Sequence, residues 1–143
     1  MTSKSLREVA LAARENAYAP YSNFRVGAAV EVEDGMVFGG ANVENVAHPQ
    51  AICAERSAIV SAVSAGHRKI RRVYVVAEPA SAPCGGCRSV IAEFGTPDTE
   101  IIVGNLQGQE ARMTLSELLP HAFEMGEPVP LDAYSTGPTS NTS

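Results

Sequence analysis

Val73-Tyr74-Val75-Val76-Ala77 is followed by Pro83-Cys84-Gly85-Gly86-Cys87, then by Val90, Ile91, Phe94 and Gly95, and then by Glu100-Ile101-Ile102-Val103. The first run is short and nearly all apolar, which suits a buried strand. The Pro-Cys-Gly-Gly-Cys run opens a helix with Val90, Ile91 and Phe94 on its inner face and Gly95 as its stop. Residues 100–103 return to a strand-like pattern. Strand, helix and strand in that order belong to a sheet with helices packed on it.

The same alternation extends in both directions. Upstream, residues 52–65 are Ala-rich, with Ile52, Ile59, Val60 and Val63 on a helical stripe and Gly66 where a helix would stop. Residues 42–50 are polar, aperiodic and contain Pro49, so they form a loop. Residues 26–32 are β-branched and small, Glu33-Asp34-Gly35 supplies a turn and 36–38 resume an apolar run, which predicts a β-hairpin. Leu6, Val9, Ala10, Ala13 and Ala17 mark one face of a helix that runs to about residue 18. Ser5 and Glu8 would cap it and Pro20 would end it. Downstream, 105–108 is a turn, and Thr114 with Glu117 caps a short helix through Leu119. The predicted order is α-β-β-α-β-α-β-(β)-α, one sheet between helices. Residues 126–143 are dominated by Gly, Pro, Ser, Thr and Asn and are expected to be a mostly disordered tail on a domain spanning 1–125.

The whole chain has 143 residues, enough for one domain and too few for two. Its hydrophobic fraction of 45% and charged fraction of 19% exclude a wholly disordered or collagen-like chain. No apolar run approaches the roughly 18 residues of a membrane span. The first residues lack a continuous apolar stretch, so no secretory signal is read and a cytoplasmic protein is expected. A net charge of −5 argues against a nucleic-acid partner. The local exception, His67-Arg68-Lys69-Ile70-Arg71-Arg72, reads as a solvated connector between helix and strand. Three cysteines cannot all pair within one chain, which favours metal or redox chemistry over disulfides.

All three cysteines stand at predicted helix starts, where free N–H groups and the helix dipole favour the thiolate. The spacing of Cys84 and Cys87 lets both sulfurs face one ion. Cys53 adds a third if the two helices lie side by side. Three protein ligands leave a tetrahedral zinc one open position, the pattern of a catalytic site, where a water can have its pKa brought near 7. Glu55 is then placed to shuttle protons. Three thiolates make the cluster anionic, and Arg56 is placed to offset this by hydrogen bonding to sulfur.

A three-cysteine zinc set, a nearby non-ligand Glu and a Pro-Cys-x-x-Cys run are together the mark of zinc nucleobase deaminases. The chain closely resembles the small, zinc-dependent, homotetrameric cytidine deaminases of pyrimidine salvage. The resemblance runs over residues 6–123 through Tyr18-Ala19-Pro20-Tyr21-Ser22, Phe24-Arg25-Val26-Gly27-Ala28-Ala29, Asn42-Val43-Glu44-Asn45, Cys53-Ala54-Glu55-Arg56, the Pro83–Arg88 run and Glu117-Leu118-Leu119-Pro120-His121-Ala122-Phe123. It implies a three-layer α-β-α sandwich around one mixed sheet of about five strands, one Zn²⁺ per subunit on Cys53, Cys84 and Cys87, and Glu55 as the proton shuttle.

It further implies that Asn42 and Glu44 grip the ribose 3′-hydroxyl, Phe24 packs on the pyrimidine, the Ala54 N–H meets the base carbonyl and the Ala82 carbonyl accepts from the exocyclic amine. Phe123 would complete a neighbouring subunit's pocket. The chain departs from the family pattern at His48, Gln50 and Ala82. His48 lies in the loop that would reach a neighbour's ribose. The implied reaction is hydrolytic deamination of cytidine and 2′-deoxycytidine.

Other readings of the same residues are a deaminase of a modified cytidine or an aminonucleoside such as blasticidin S, and a polynucleotide deaminase, which the missing basic stripe disfavours. A structural zinc module would take His48 as fourth ligand. A redox Cys84–Cys87 pair would leave Cys53 and Glu55 unemployed.

Overall fold

The computed structural model of the protein describes residues 3–125 and 130–134. Nine regular elements follow one another: α1 (Ser3–Arg14), β1 (Val26–Val32), β2 (Val37–Ala41), α2 (Ala54–Ser64), β3 (Ile70–Ala77), α3 (Gly85–Phe94), β4 (Glu100–Gly104), β5 (Glu110–Thr114) and α4 (Leu115–Leu118). Single 3₁₀ turns lie at His48–Gln50 and Leu131–Ala133. The order is the one the sequence predicts, with the bracketed strand present as β5.

The strands form one mixed sheet in the order β2-β1-β3-β4-β5, in which only β3 and β4 pair in parallel. Because β1 is antiparallel to both its neighbours, β2 and β3 run in the same direction. The helices that follow these strands, α2 and α3, therefore both begin at the same edge of the sheet. That topology brings their N-termini together.

Side chains alternate across the strands, as a period of two requires. Ala28, Val30, Val73, Val75, Ile101 and Val103 face α2 and α3, where Ala58, Ile59, Ala62 and Ile91 cover them. Ala29, Tyr74, Val76 and Ile102 face the other way, onto Leu6 and Ala10 of α1. The result is three layers, α1, sheet, and α2 with α3. Two glycines set the layer spacing. A Cβ on Gly27 would stand 2.0 Å from the Ala10 carbonyl oxygen, and one on Gly40 would stand 2.3 Å from the Ala58 nitrogen. Any larger residue at either place must push a helix off the sheet.

Several boundaries differ from the sequence expectation. α1 spans Ser3–Arg14, so Ser5 and Glu8 lie inside it and it stops short of residue 18. Tyr18 is drawn away by strand-like bonds to the chain after β2, its N–H donating to Asn42 O at 2.9 Å and its carbonyl accepting from Glu44 N at 2.8 Å. Ile52 is outside α2, exchanging both backbone hydrogen bonds with Val43 at 2.9 Å. Val60, expected on the buried stripe, is 50% exposed. Ala54, Ala58 and Ala62 share the inner face with the predicted Ile59, and at Gly40 only small side chains permit the close approach.

The basic run is not simply solvated. Arg72 Nε lies 2.7 Å from the buried Glu31 carboxylate, and Arg68 donates to the Val63 carbonyl near the end of α2 at 2.9 Å. The Thr114–Glu117 capping box is present in full. Of segment 126–143, residues 130–134 place the Tyr134 ring 5.1 Å from that of His121. The rest of the expected tail lies outside the described residues. No helix among the described residues is long and apolar enough to cross a membrane.

Candidate active site

Cys53 is the N-cap of α2, Cys84 the N-cap of α3, and Cys87 lies in the first turn of α3. The shared edge of the sheet brings the three sulfurs within 4.8 Å of one another, with Cys84 Sγ and Cys87 Sγ 3.5 Å apart. Cys87 is buried, Cys53 half-buried and Cys84 exposed, so the cluster opens on one side. The Cys53 thiol is held down, at about 5, by a hydrogen bond with Cys87 and by further bonds from Arg56 and Cys84. The same hydrogen bond, with burial and the neighbouring Glu55 charge, pushes the Cys87 thiol up. Any proton left on the three sulfurs is one that a metal would displace on binding.

Glu55 occupies the first turn of α2 and is only 5% exposed. Burial raises its pKa above the ordinary carboxylate value and the Cys53 charge adds to this, while its own backbone N–H and Arg56 pull the other way. A carboxyl group with a raised pKa suits a group that must both take up and release a proton. Arg56 reaches back over the start of the helix, with Nη2 3.8 Å from Cys53 Sγ and 3.4 Å from Ala51 O. Its Nε is buried with no hydrogen-bond partner, leaving a donor beside the cysteine cluster.

A second group of polar residues lies at the same edge, where β2 ends and β1 begins. Asn42 Oδ1 accepts from Val26 N and its Nδ2 donates to Phe24 O, both at 2.9 Å. Glu44 Oε1 accepts from the N–H groups of Tyr21 at 2.9 Å and Ser22 at 3.2 Å, while Oε2 accepts from the Ser22 hydroxyl. These bonds, the Ser22 hydroxyl foremost, hold the Glu44 carboxyl below the ordinary range, so it stays ionised. Ser22, which also accepts from Phe24 N at 3.0 Å, has no role assigned in the sequence reading. Its place in the Tyr18–Ser22 motif was the available signal.

The remaining residues are distributed as follows. Phe24 is half-buried, Ala54 is buried at the start of α2, and Ala82 is exposed just before the buried Pro83. His48 is exposed in its 3₁₀ turn, its ring 6.1 Å from that of Tyr21. It is not part of the cysteine cluster, whose three members are the only such metal-ligating group among the described residues. Phe123 follows α4 and is 87% exposed.

Residues 1–104 match the family model described as the cytidine and deoxycytidylate deaminase zinc-binding region. The chain belongs to this family. It is similar to the cytidine deaminase of Halalkalibacterium halodurans, with 47% identity over 125 residues, 86% of this chain and 95% of the relative. The cytidine deaminase of Sporosarcina psychrophila is 48% identical over 114 residues, 78% of this chain and 83% of that protein. Among solved structures, a cytidine deaminase from Burkholderia pseudomallei superimposes with a TM-score of 0.82 at 48% identity, covering 86% of this chain and 100% of the other.

The deaminase family's zinc fits the residues present. Tetrahedral Zn–S bonds of about 2.3 Å place sulfurs about 3.8 Å apart, close to the spacing found here with little movement. The donors are soft, two of them rest on helix N-caps, and the open side leaves room for a fourth ligand. Zinc is therefore the cofactor of this deaminase, and the sulfur set is complete without His48.

Proposed function

We propose that this protein hydrolyses cytidine and 2′-deoxycytidine to uridine and 2′-deoxyuridine, releasing ammonia. The observation that carries the reading is the buried Glu55 carboxyl on the same helix start as Cys53, beside a cysteine cluster open on one side. When bound, zinc supplies the Lewis-acid charge that brings the pKa of a water to near 7. Glu55 takes a proton from the water that adds to C4 of the pyrimidine and gives it to N3. It then takes the remaining proton of the added hydroxyl and gives it to the amine, so that the C4–N bond breaks, ammonia leaves and C4 becomes a carbonyl. Cys53, Cys84 and Cys87 hold the metal, and Arg56 draws negative charge from Cys53.

Asn42 and Glu44 would take the ribose 3′-hydroxyl, using the hydrogen-bonding capacity that their backbone partners leave over. Phe24 would stack on the ring, the Ala54 N–H would meet the base carbonyl, and the Ala82 carbonyl would accept from the exocyclic amine. His48 would sit near the sugar, and Phe123 would reach a neighbouring subunit's pocket. The exposure of Phe123 supports this sharing, and with it a homotetramer formed by the 1–125 unit. We place the enzyme in pyrimidine salvage and in the cytoplasm, where three thiols kept free for a metal stay reduced.

The test is incubation of the purified protein with cytidine. Loss of cytidine absorbance with one ammonia per uridine, at one zinc per chain, is expected. A zinc-replete protein that releases no ammonia from either nucleoside overturns the proposal.

A further inference from the structure

One hydroxyl connects the two halves of the proposed nucleoside site. Ser22 Oγ donates to Glu44 Oε2 and accepts from the backbone N–H of Phe24. The direction is forced, because an ionised carboxylate can only accept, so the hydroxyl hydrogen goes to Glu44 and a lone pair is left for Phe24. The Phe24 residue is then gripped at both backbone groups, its N–H by Ser22 and its C=O by Asn42 at 2.9 Å. Asn23 between them adopts a positive φ of 60°, a conformation that these flanking bonds hold in place. Glu44 is turned by three bonds from Tyr21 and Ser22, of which only the hydroxyl bond reaches Oε2.

We propose that Ser22 is a positioning residue for nucleoside binding, its hydroxyl fixing the sugar-side Glu44 carboxylate and the base-side Phe24 in one mutual orientation. This rests on the functional reading above, in which Glu44 meets the 3′-hydroxyl. Ser22 touches neither substrate nor metal. Its effect belongs in KM rather than kcat, and it is larger for a substrate that has the hydroxyl Glu44 receives.

The experiment compares cytidine with 3′-deoxycytidine in the zinc-loaded enzyme and in Ser22→Ala and Ser22→Thr. Ser22→Ala is expected to raise KM for cytidine about tenfold, the scale of one hydrogen bond to a charged group, with kcat changed less than about twofold. For 3′-deoxycytidine the rise is expected to stay below about threefold, since only the Phe24 contribution is lost. Ser22→Thr keeps the hydroxyl and restores both values. Zinc content stays at the wild-type value.

Equal KM rises on the two substrates, a loss confined to kcat, or a threonine variant that behaves like alanine would each overturn the proposal. A wild-type enzyme that turns over neither nucleoside would instead overturn the functional reading, and this proposal with it.

Discussion

The cysteine cluster and the Asn42–Glu44 pair occupy the same edge of the sheet but are held there by different means. Cys53, Glu55, Cys84 and Cys87 sit at the starts of two helices packed on the same face of the sheet, α2 so closely that Gly40 tolerates no Cβ. Asn42 and Glu44 sit on irregular chain and are held by hydrogen bonds to the irregular residues 21–24 and to Val26, the first residue of β1. Rigid helix ends suit the half where a proton must be exchanged and a metal held at fixed distances. A hydrogen-bonded loop suits the half that must admit and release a sugar.

If that division is right, damage at the helix starts should appear in kcat or metal retention, and damage in the loops should appear in KM and substrate preference. The largest expected effect is that of Glu55→Gln, which keeps the side-chain volume but removes the proton carrier. It should lower kcat on the order of 10³-fold, with zinc content and KM for cytidine preserved, as read by steady-state kinetics and metal analysis. A variant that keeps a tenth of the wild-type kcat would break the comparison at its first term. Arg56→Ala removes the donor at Cys53 and should weaken zinc retention about tenfold in competition with a chelator. Unchanged zinc affinity would remove Arg56 from the metal side.

The smallest effect is assigned to His48→Tyr. It should alter the relative kcat/KM for cytidine, 2′-deoxycytidine and N4-methylcytidine by about two- to fivefold, the scale of one exposed polar contact. It should leave kcat on cytidine unchanged. If all three rates scale together, His48 has no part in the sugar half.

The helices, the strands and their order were legible because their signals are local, as with the apolar run 73–77, the glycines at 66 and 95 and the Thr114–Glu117 cap. The ligand cysteines were legible as residue types at helix starts. Their convergence was not. It depends on β1 pairing antiparallel to β3 as well as to its hairpin partner β2, and the β1–β3 pairing is a long-range choice that no local pattern encodes. The misplaced end of α1 has the same origin, since Ala17 continues the helical period while Tyr18 is claimed by Asn42 and Glu44 far along the chain. Val60 fits a generic apolar stripe but is exposed, because the alanine face, not the largest side chains, matches the glycine of β2. Ser22 went unassigned since its partners lie at positions 24 and 44, and only the folded chain brings its hydroxyl to both.

The direction of the strands also decides what the far edge of the sheet is free to do. The Glu33-Asp34-Gly35 turn joins β1 to β2 at the end opposite the cysteines, and a Cβ on Gly35 would meet nothing within 4 Å. A peptide spliced into this turn would lengthen the hairpin away from the chemistry, losing only contacts local to the turn, such as those of His67 with Glu33 and Asp34, of Arg71 with the Glu33 carbonyl and of the Met36 N–H with Asp34. The fold thus offers a grafting point, a place to attach a tag, a fluorophore or a second protein without altering the metal or the nucleoside groups.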